Sequence, residues 1–114
     1  MKTEPFQARI QIDSPGARID LVGEINAAAE ADLNAAYQEA EGLLGSQAGM
    51  IVLNFKAVTY INSTGIALIV GLLARARKDH RTLGVIGLSD HYLEVFRITR
   101  LADFMQIFTD EAGV

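Results

Sequence analysis

The sequence of 114 residues contains no cysteine and only two prolines, and its ten basic residues are outnumbered by fourteen acidic ones. Without cysteine the chain can form no disulfide, no thiolate metal site and no cysteine nucleophile. A reducing compartment fits this composition, so we expect a cytoplasmic protein. The net charge of -4 offers no electrostatic surface for nucleic acid, which excludes that class of partner.

Long hydrophobic runs are also missing. The most apolar stretch, residues 66–74, is far too short to cross a bilayer, and Lys2 alone is too little basic charge for a signal peptide. We therefore expect no direct insertion into a membrane. Half of the residues are apolar and 21% are charged, which is the composition of a chain that folds. The length predicts one domain over residues 1–114.

Catalytic motifs are absent as well. The chain has no G-x-S-x-G elbow, no P-loop lysine and no H-E-x-x-H pair. His80 and His91 fall in different predicted elements without carboxylates at metal-ligand spacing, so both are interpreted as surface histidines. We expect a protein that is not an enzyme, with no catalytic residue, no cofactor and no metal.

Hydrophobic periodicity predicts the order of elements. Residues 6–13 alternate, with Phe6, Ala8, Ile10 and Ile12 on the buried side of a strand. A turn at residues 13–16 leads to a second strand at 17–23, and Asn26 can cap a helix over 27–44. The branched run at 50–55 is typical of a central strand covered on both faces.

The second half of the chain alternates in the same way. A helix begins near Ser63, a buried strand covers 83–88, a helix capped by Ser89 covers 89–101, and an edge strand covers 105–108. We expect Tyr37, Phe96 and Phe104 in the core. The pattern predicts an α/β domain with a mixed sheet and helices packed against it.

The helix that begins near Ser63 has two apolar faces. At 100° per residue its core stripe is predicted to be Ile66, Ile69, Val70 and Leu73. The opposite face is small and apolar for two turns before it becomes basic, and comprises Thr64, Ala67, Leu68, Gly71, Arg75 and Lys78. A glycine in a helix lowers its stability by about 0.5 to 1 kcal/mol relative to alanine. Small residues allow another surface to come close.

The residues at the start of this helix allow two readings. Asn and Ser are both preferred helix caps, so Asn62 or Ser63 can simply cap the helix. Ser63 can equally carry a phosphate, because the helix N-terminus tolerates negative charge. The two roles are compatible if Asn62 is the cap and Ser63 points outward.

Three segments resemble the STAS domain, the fold of bacterial anti-sigma factor antagonists, and the resemblance covers nearly the whole chain. They are GEIN at residues 23–26, IVLNF at 51–55 and INSTG at 61–65. The resemblance implies phosphorylation of Ser63 by a partner that is both anti-sigma factor and serine kinase, with a PP2C-type phosphatase as a further partner. It implies a partner-binding surface that comprises Glu24, Asn26, Asn62, Thr64, Gly65, Ala67, Leu68, Gly71 and Arg75.

The sequence departs from the family pattern at two sites. Asn26 and Asn62 stand where the family usually has aspartate, which keeps hydrogen-bonding capacity but removes negative charge. A kinase or phosphatase that relies on either carboxylate would be slowed. The function implied is a partner-switching module that binds the anti-sigma factor when Ser63 is unmodified. The alternative is a permanently docked subunit of a lipid-transport ATPase complex or a stressosome-type scaffold.

Overall fold

The computed structural model describes residues 6–13, 16–45 and 49–108, without the side chain of Asp13. The predicted turn residues Ser14 and Pro15 lie outside the described residues. In chain order the elements are β1 (Gln7–Asp13), β2 (Gly16–Ile25), a 3₁₀ turn (Ala27–Ala29), α1 (Glu30–Leu44), β3 (Ile51–Ile61), α2 (Ser63–Lys78), β4 (Leu83–Ile86), α3 (Asp90–Ile98), a second 3₁₀ turn (Leu101–Phe104) and β5 (Gln106–Phe108).

The five strands form one mixed sheet in the order β1-β2-β3-β4-β5. Strand β1 is antiparallel to β2, and every later neighbour pair is parallel. The predicted α/β class and mixed sheet are therefore confirmed. Each helix connects a strand to the next one in the same direction, and right-handed crossovers then place all three helices on one face of the sheet.

The core lies on that helix-covered face. The strands contribute alternate residues such as Ile19 and Leu53, and the helices contribute Leu33, Ile69 and Phe96, all of them fully buried. Apart from Phe104, the predicted aromatic core is confirmed, because Tyr37 and Phe96 belong to this cluster. The Phe96 ring packs edge-on against Phe55 of β3, with ring centroids 6.2 Å apart.

The prediction of a central strand is confirmed, because β3 is the middle strand of the sheet and Leu53 and Val52, on its opposite faces, are both buried. The described helices cover only one of these faces. The buried residues of the three helices all belong to the cluster on one face, and Val52 on the other face is outside it. Around Val52 that face carries a polar network in which Asp20 Oδ1 accepts from Arg18 Nε (2.8 Å) and from Asn54 Nδ2 (2.9 Å). Val52 is 7% exposed although the buried residues of the described helices all lie on the other face, so a continuous apolar run did not require a second layer of helices.

Strand β3 is longer than predicted and reaches Ile61. It pairs with β4 only from Ile51 to Asn54, whereas its pairing with β2 continues to Ile61 through two register shifts. Val58, Thr59 and Tyr60 favour extended backbone, so this half of the strand forms although most of its side chains are exposed.

Three side chains predicted to be buried are exposed: Ile12 (54%), Val70 (41%) and Phe104 (52%). Ile12 is near the end of an edge strand. Val70 is at the margin of the helical stripe, because the buried side of α2 is centred on Ile69 and Ala76. The ring of Phe104 instead lies 4.5 Å from the guanidinium carbon of Arg77.

The helix starts are close to the predicted ones. Asn26 caps the 3₁₀ turn Ala27–Ala29, so the regular part of the predicted helix begins at Glu30. Ser89 caps α3 by accepting from the backbone N–H of Tyr92. His80 and His91 are exposed, as predicted for surface histidines.

Candidate functional site

The candidate site lies where the parallel strands β2 and β3 end side by side. Ile25 pairs with Ile61 in the ladder, and the next residue, Asn62, donates its backbone N–H to the carbonyl oxygen of Ile25 (3.2 Å). Because both strands run in the same direction, the segments that follow them emerge at one edge of the sheet. The structure thus brings GEIN and INSTG together.

Asn62 is the cap of α2. Its side-chain Oδ1 accepts from the backbone N–H of Gly65 at 2.8 Å, and its carbonyl oxygen accepts from Ile66 at 2.9 Å. Ser63 is the first helical residue, and both Ser63 and Thr64 are exposed. Asn62 therefore caps the helix while its neighbour Ser63 is exposed, which leaves the Ser63 hydroxyl accessible.

Gly65 is buried, unlike the other residues predicted to meet a partner. A Cβ at this position would lie 2.1 Å from the carbonyl oxygen of Ile25 and 2.9 Å from Cγ2 of Ile61. Only glycine lets the first turn of α2 come this close to the ends of β2 and β3. Gly65 thus positions Ser63 from beneath.

The outer side of α2 carries mostly small side chains up to Ala74, after which Arg77 and Lys78 are exposed. Its exposed residues before that basic end are Ser63, Thr64, Ala67, Val70, Gly71 and Ala74, and we call this set the docking face. Around Gly71 nothing lies within 4 Å of the position a Cβ would take. The exposure predicted for Thr64, Ala67 and Gly71 is confirmed. Val70 and Ala74 were missed, because the buried stripe is rotated from its predicted centre.

Leu68 and Arg75 lie on the flank of α2 and outside the docking face. Leu68 is half-buried and packs against the core. The Arg75 guanidinium forms an ion pair with the carboxylate of Glu41 on α1 (Nη2 to Oε1, 2.6 Å) and lies 5.5 Å from the ring centroid of Tyr37. These contacts hold α2 against α1, so Arg75 is already engaged within the protein.

Glu24 and Asn26 form a small polar unit beside the site. Asn26 donates from Nδ2 to Glu24 Oε2 (3.2 Å), while its Oδ1 accepts from the backbone N–H of Ala28 (2.9 Å). Both residues are half-buried. Tyr60 pairs with Glu24 in the ladder and is 53% exposed, so the edge also offers an aromatic side chain that sequence reasoning missed. The β-favouring run V-T-Y was the available signal.

Tyr92 of α3 supports the strand end that leads into the site. Its hydroxyl accepts from the backbone N–H of Ile61 (2.8 Å) and donates to the carbonyl oxygen of the same residue (3.4 Å). Strand β4 ends before it reaches this position, so the hydroxyl replaces a missing strand partner. No sequence pattern pointed to this role.

Electrostatics at the two ends of α2 differ. Its first turn contains no acidic residue, whereas its last turn contains Arg75, Arg77 and Lys78. The basic last turn complements the negative end of the helix dipole. The positive end, at Ser63, has no carboxylate within the helix to neutralise it. An added anion at Ser63 would therefore be favoured by the dipole.

Comparison with known proteins agrees with this geometry. The family model described as "Mlab, STAS domain" matches residues 8–108. The chain belongs to the STAS domain family. An anti-sigma-B factor antagonist of Listeria monocytogenes is 31% identical over 98 residues, which cover 83% of this chain and 81% of that protein.

Two further likenesses concern a relative matched over part of its length and a solved structure. An anti-sigma-B factor antagonist of Staphylococcus aureus is 37% identical to this STAS domain over 57 residues, and the matched part spans about half of that protein (53%). The solved structure of the Bacillus cell fate determinant SpoIIAA in the phosphorylated form has a TM-score of 0.68 at 21% identity, covering 96% of each chain. This second likeness shows the fold.

Within the described parts of the chain, no helix combines the length and the apolar character needed to cross a membrane.

Proposed function

We propose that this protein is a cytoplasmic anti-sigma factor antagonist that binds its anti-sigma factor through the docking face while Ser63 is unmodified, and releases it when Ser63 is phosphorylated. The observation that carries the proposal is the exposure of Ser63 at the capped start of α2, in line with Ala67 and Ala74. The antagonist names of the Listeria and Staphylococcus relatives support the choice of partner.

The docking face suits reversible contact with another protein. Its small side chains let a partner backbone or a large side chain approach α2 closely, and none of them is held by an ion pair or hydrogen bond to the rest of the chain among the interactions described. A phosphate at Ser63 would add about -1.5 to -2 charges at one end of this face. Burying that charge against a partner is costly unless a counter-charge is present, so phosphorylation would weaken binding.

The fold of the protein itself would persist after phosphorylation. Asn62 remains the cap, because its Oδ1 and the Gly65 N–H do not involve the Ser63 side chain. The helix dipole also favours the new charge at this end. The switch therefore acts on the surface and leaves the domain folded, and the chain performs no chemistry of its own. The anti-sigma factor supplies the kinase activity, and a PP2C-type phosphatase restores the unmodified serine.

Phosphate transfer onto the serine tests the proposal. Incubation with the purified anti-sigma factor kinase and ATP should place one phosphate on Ser63, located by peptide mass spectrometry. Ser63→Ala should abolish incorporation, while Thr64→Ala should not. Asn62→Asp should raise the rate, because aspartate also caps a helix and restores a carboxylate beside the acceptor.

Absence of incorporation into Ser63 would contradict the switch. Stable, unswitched association through the docking face would then favour the permanently docked subunit of a lipid-transport ATPase complex or a stressosome-type scaffold. Phosphate on Thr64 would keep a switch but move the acceptor.

A further inference from the structure

The two edges of the sheet are protected to different degrees. Strand β5 is only three residues long, and short edge strands leave few backbone groups open to another chain. Strand β1 is seven residues long and contains no proline and no lysine, and its pairing with β2 shows no register shift. Strand β1 thus lacks proline, lysine and a bulge, three of the devices that usually block strand addition at an edge, although it carries the charged side chain of Arg9.

The backbone of β1 presents alternate residues to the outside. The N–H of Ala17 donates to the carbonyl oxygen of Met50 at 3.0 Å, so Ala17 points its backbone groups toward β3. Ile12, its partner in β1, therefore belongs to a non-hydrogen-bonded pair and points its own backbone groups away from β2. The alternation of an antiparallel ladder gives Ile10 and Ala8 the same direction. No described strand pairs with this edge.

A groove of about 380 Å³ runs along the same edge, between β1 and α1. Its lining is mixed and includes the apolar residues Phe6, Ala8 and Ile10, which pack against the core only in part. Its rim on the α1 side carries the carboxylates of Asp32 and Glu39. Helix α1 contains four acidic residues and no basic one, so the wall of the groove is negative.

We propose that the β1 edge binds an extended segment of a partner protein that carries lysine or arginine at alternate positions. Backbone hydrogen bonds would form with Ala8, Ile10 and Ile12. Long basic side chains fit the groove, because their aliphatic stems can cover Phe6, Ala8 and Ile10 while their charged ends reach Asp32 and Glu39. Arg9 also lines the groove, but its position in the strand places it on the opposite face of the sheet.

A second copy of this chain fits the edge less well. Pairing β1 with β1 around a two-fold axis would bring the acidic α1 helices of both copies to the same side of the joined sheet. Like charges on neighbouring elements oppose such an arrangement. A basic segment has the complementary charge. This site is separate from Ser63, so the proposal does not depend on phosphorylation.

Titration with a short capped peptide of alternating lysine and valine tests the proposal. Two-dimensional amide NMR spectra of the whole protein should show shifts at Ala8, Ile10 and Ile12, with no change at Ser63. A peptide in which glutamate replaces lysine should bind at least about fivefold more weakly. Asp32→Asn combined with Glu39→Gln should weaken binding of the lysine peptide by a similar factor and leave the backbone of β1 unchanged.

Proline substitution tests the backbone contribution. Ala8→Pro removes only a backbone N–H that points away from β2, and it should abolish peptide binding. The spectrum outside β1 should stay native, because proline is tolerated on edge strands. Ala8→Ser keeps the N–H and should bind normally. Absence of shifts at β1 up to millimolar peptide would overturn the proposal. Equal binding of both peptides, or concentration-dependent dimerisation through β1 in their absence, would overturn it too.

Discussion

Two glycines six positions apart in α2 show how different the two sides of this helix are. A side chain at Gly65 would collide with the backbone of Ile25, whereas a side chain at Gly71 would meet nothing within 4 Å. Packing requires the first glycine, but packing within the chain does not require the second. Because a helical glycine costs about 0.5 to 1 kcal/mol, Gly71 needs an explanation outside the domain.

The same contrast extends along the whole helix. On the inner side Ile69, Leu72 and Ala76 are buried in the core, so their size is set by their neighbours. On the outer side Ser63, Ala67, Gly71 and Ala74 are small, and at Gly71 a larger side chain would fit. A partner surface that approaches closely would impose this restriction, which supports the proposal that the outer side meets a partner. Predictions that separate the two sides follow in decreasing order of effect.

Truncation on the inner side should have the largest effect. Ile69→Ala should lower the free energy of unfolding by about 2 to 5 kcal/mol, because Ile69 is fully buried and alanine leaves a cavity. Val70→Ala is the matched control and should change it by less than about 1 kcal/mol, since Val70 is 41% exposed. Urea unfolding measures both. Equal losses would mean that α2 is rotated from the orientation described.

Replacing each glycine by alanine should change the free energy of unfolding in opposite directions. Gly65→Ala should destabilise by about 1 to 3 kcal/mol, because the first turn of α2 must move away from Ile25. Gly71→Ala should stabilise by about 0.5 to 1 kcal/mol through helix propensity. Thermal and urea unfolding of the pair give the comparison directly. A stabilised Gly65→Ala variant would remove the argument for close approach between Gly65 and Ile25.

Alkaline pH should probe the flank where α2 meets α1. Burial, and next the Glu41 carboxylate, raise the pKa of Tyr37 from its ordinary value of 10.0 to about 12. The neutral phenol is therefore favoured in the folded state. This contribution is fully present below pH 10, and it is lost as the pH rises from 10 through 12, because the unfolded chain releases the proton first.

Tyr37→Phe isolates that contribution. Near pH 11 the wild-type protein should lose about 1 kcal/mol of its free energy of unfolding, and the variant should not show this loss. At neutral pH it should be equal or more stable by about 1 kcal/mol, because the hydroxyl is buried without a hydrogen-bond partner among the described residues. Identical alkaline profiles would place the titrating group elsewhere.

Much of the fold was predictable because it follows local signals. The alternation of apolar and polar residues identified β1. Asn26 and Ser89 identified helix starts, and the order of strands and helices identified the mixed sheet. The exposed positions of Ile12 and Phe104 were not predictable, because hydrophobicity does not reveal where a sheet edge ends or that Arg77 covers a ring. That the described helices all pack on the face opposite Val52 depends on crossover direction, which no single segment encodes.

The main residues of the site were predictable, whereas the contacts that hold them in place were not. The INSTG motif predicted both Asn62 as a possible cap and Ser63 as the accessible hydroxyl residue. The role of Gly65 and the hydrogen bonds of Tyr92 to Ile61 are long-range contacts, so they were invisible in the sequence. Arg75 was assigned to the outer face, but its ion pair with Glu41 turns it toward α1.

The central claim is that charge at Ser63 controls binding through the docking face. The most direct measurement is the calorimetric affinity of the purified anti-sigma factor for the unmodified chain, the Ser63-phosphorylated chain and Ser63→Asp, with Ser63→Ala as the neutral control. We expect Ser63→Ala to bind like the unmodified chain. Phosphorylated protein should bind more weakly by about 2 to 5 kcal/mol, and Ser63→Asp by less, because it carries about one charge. Equal affinity of all four forms would contradict the account.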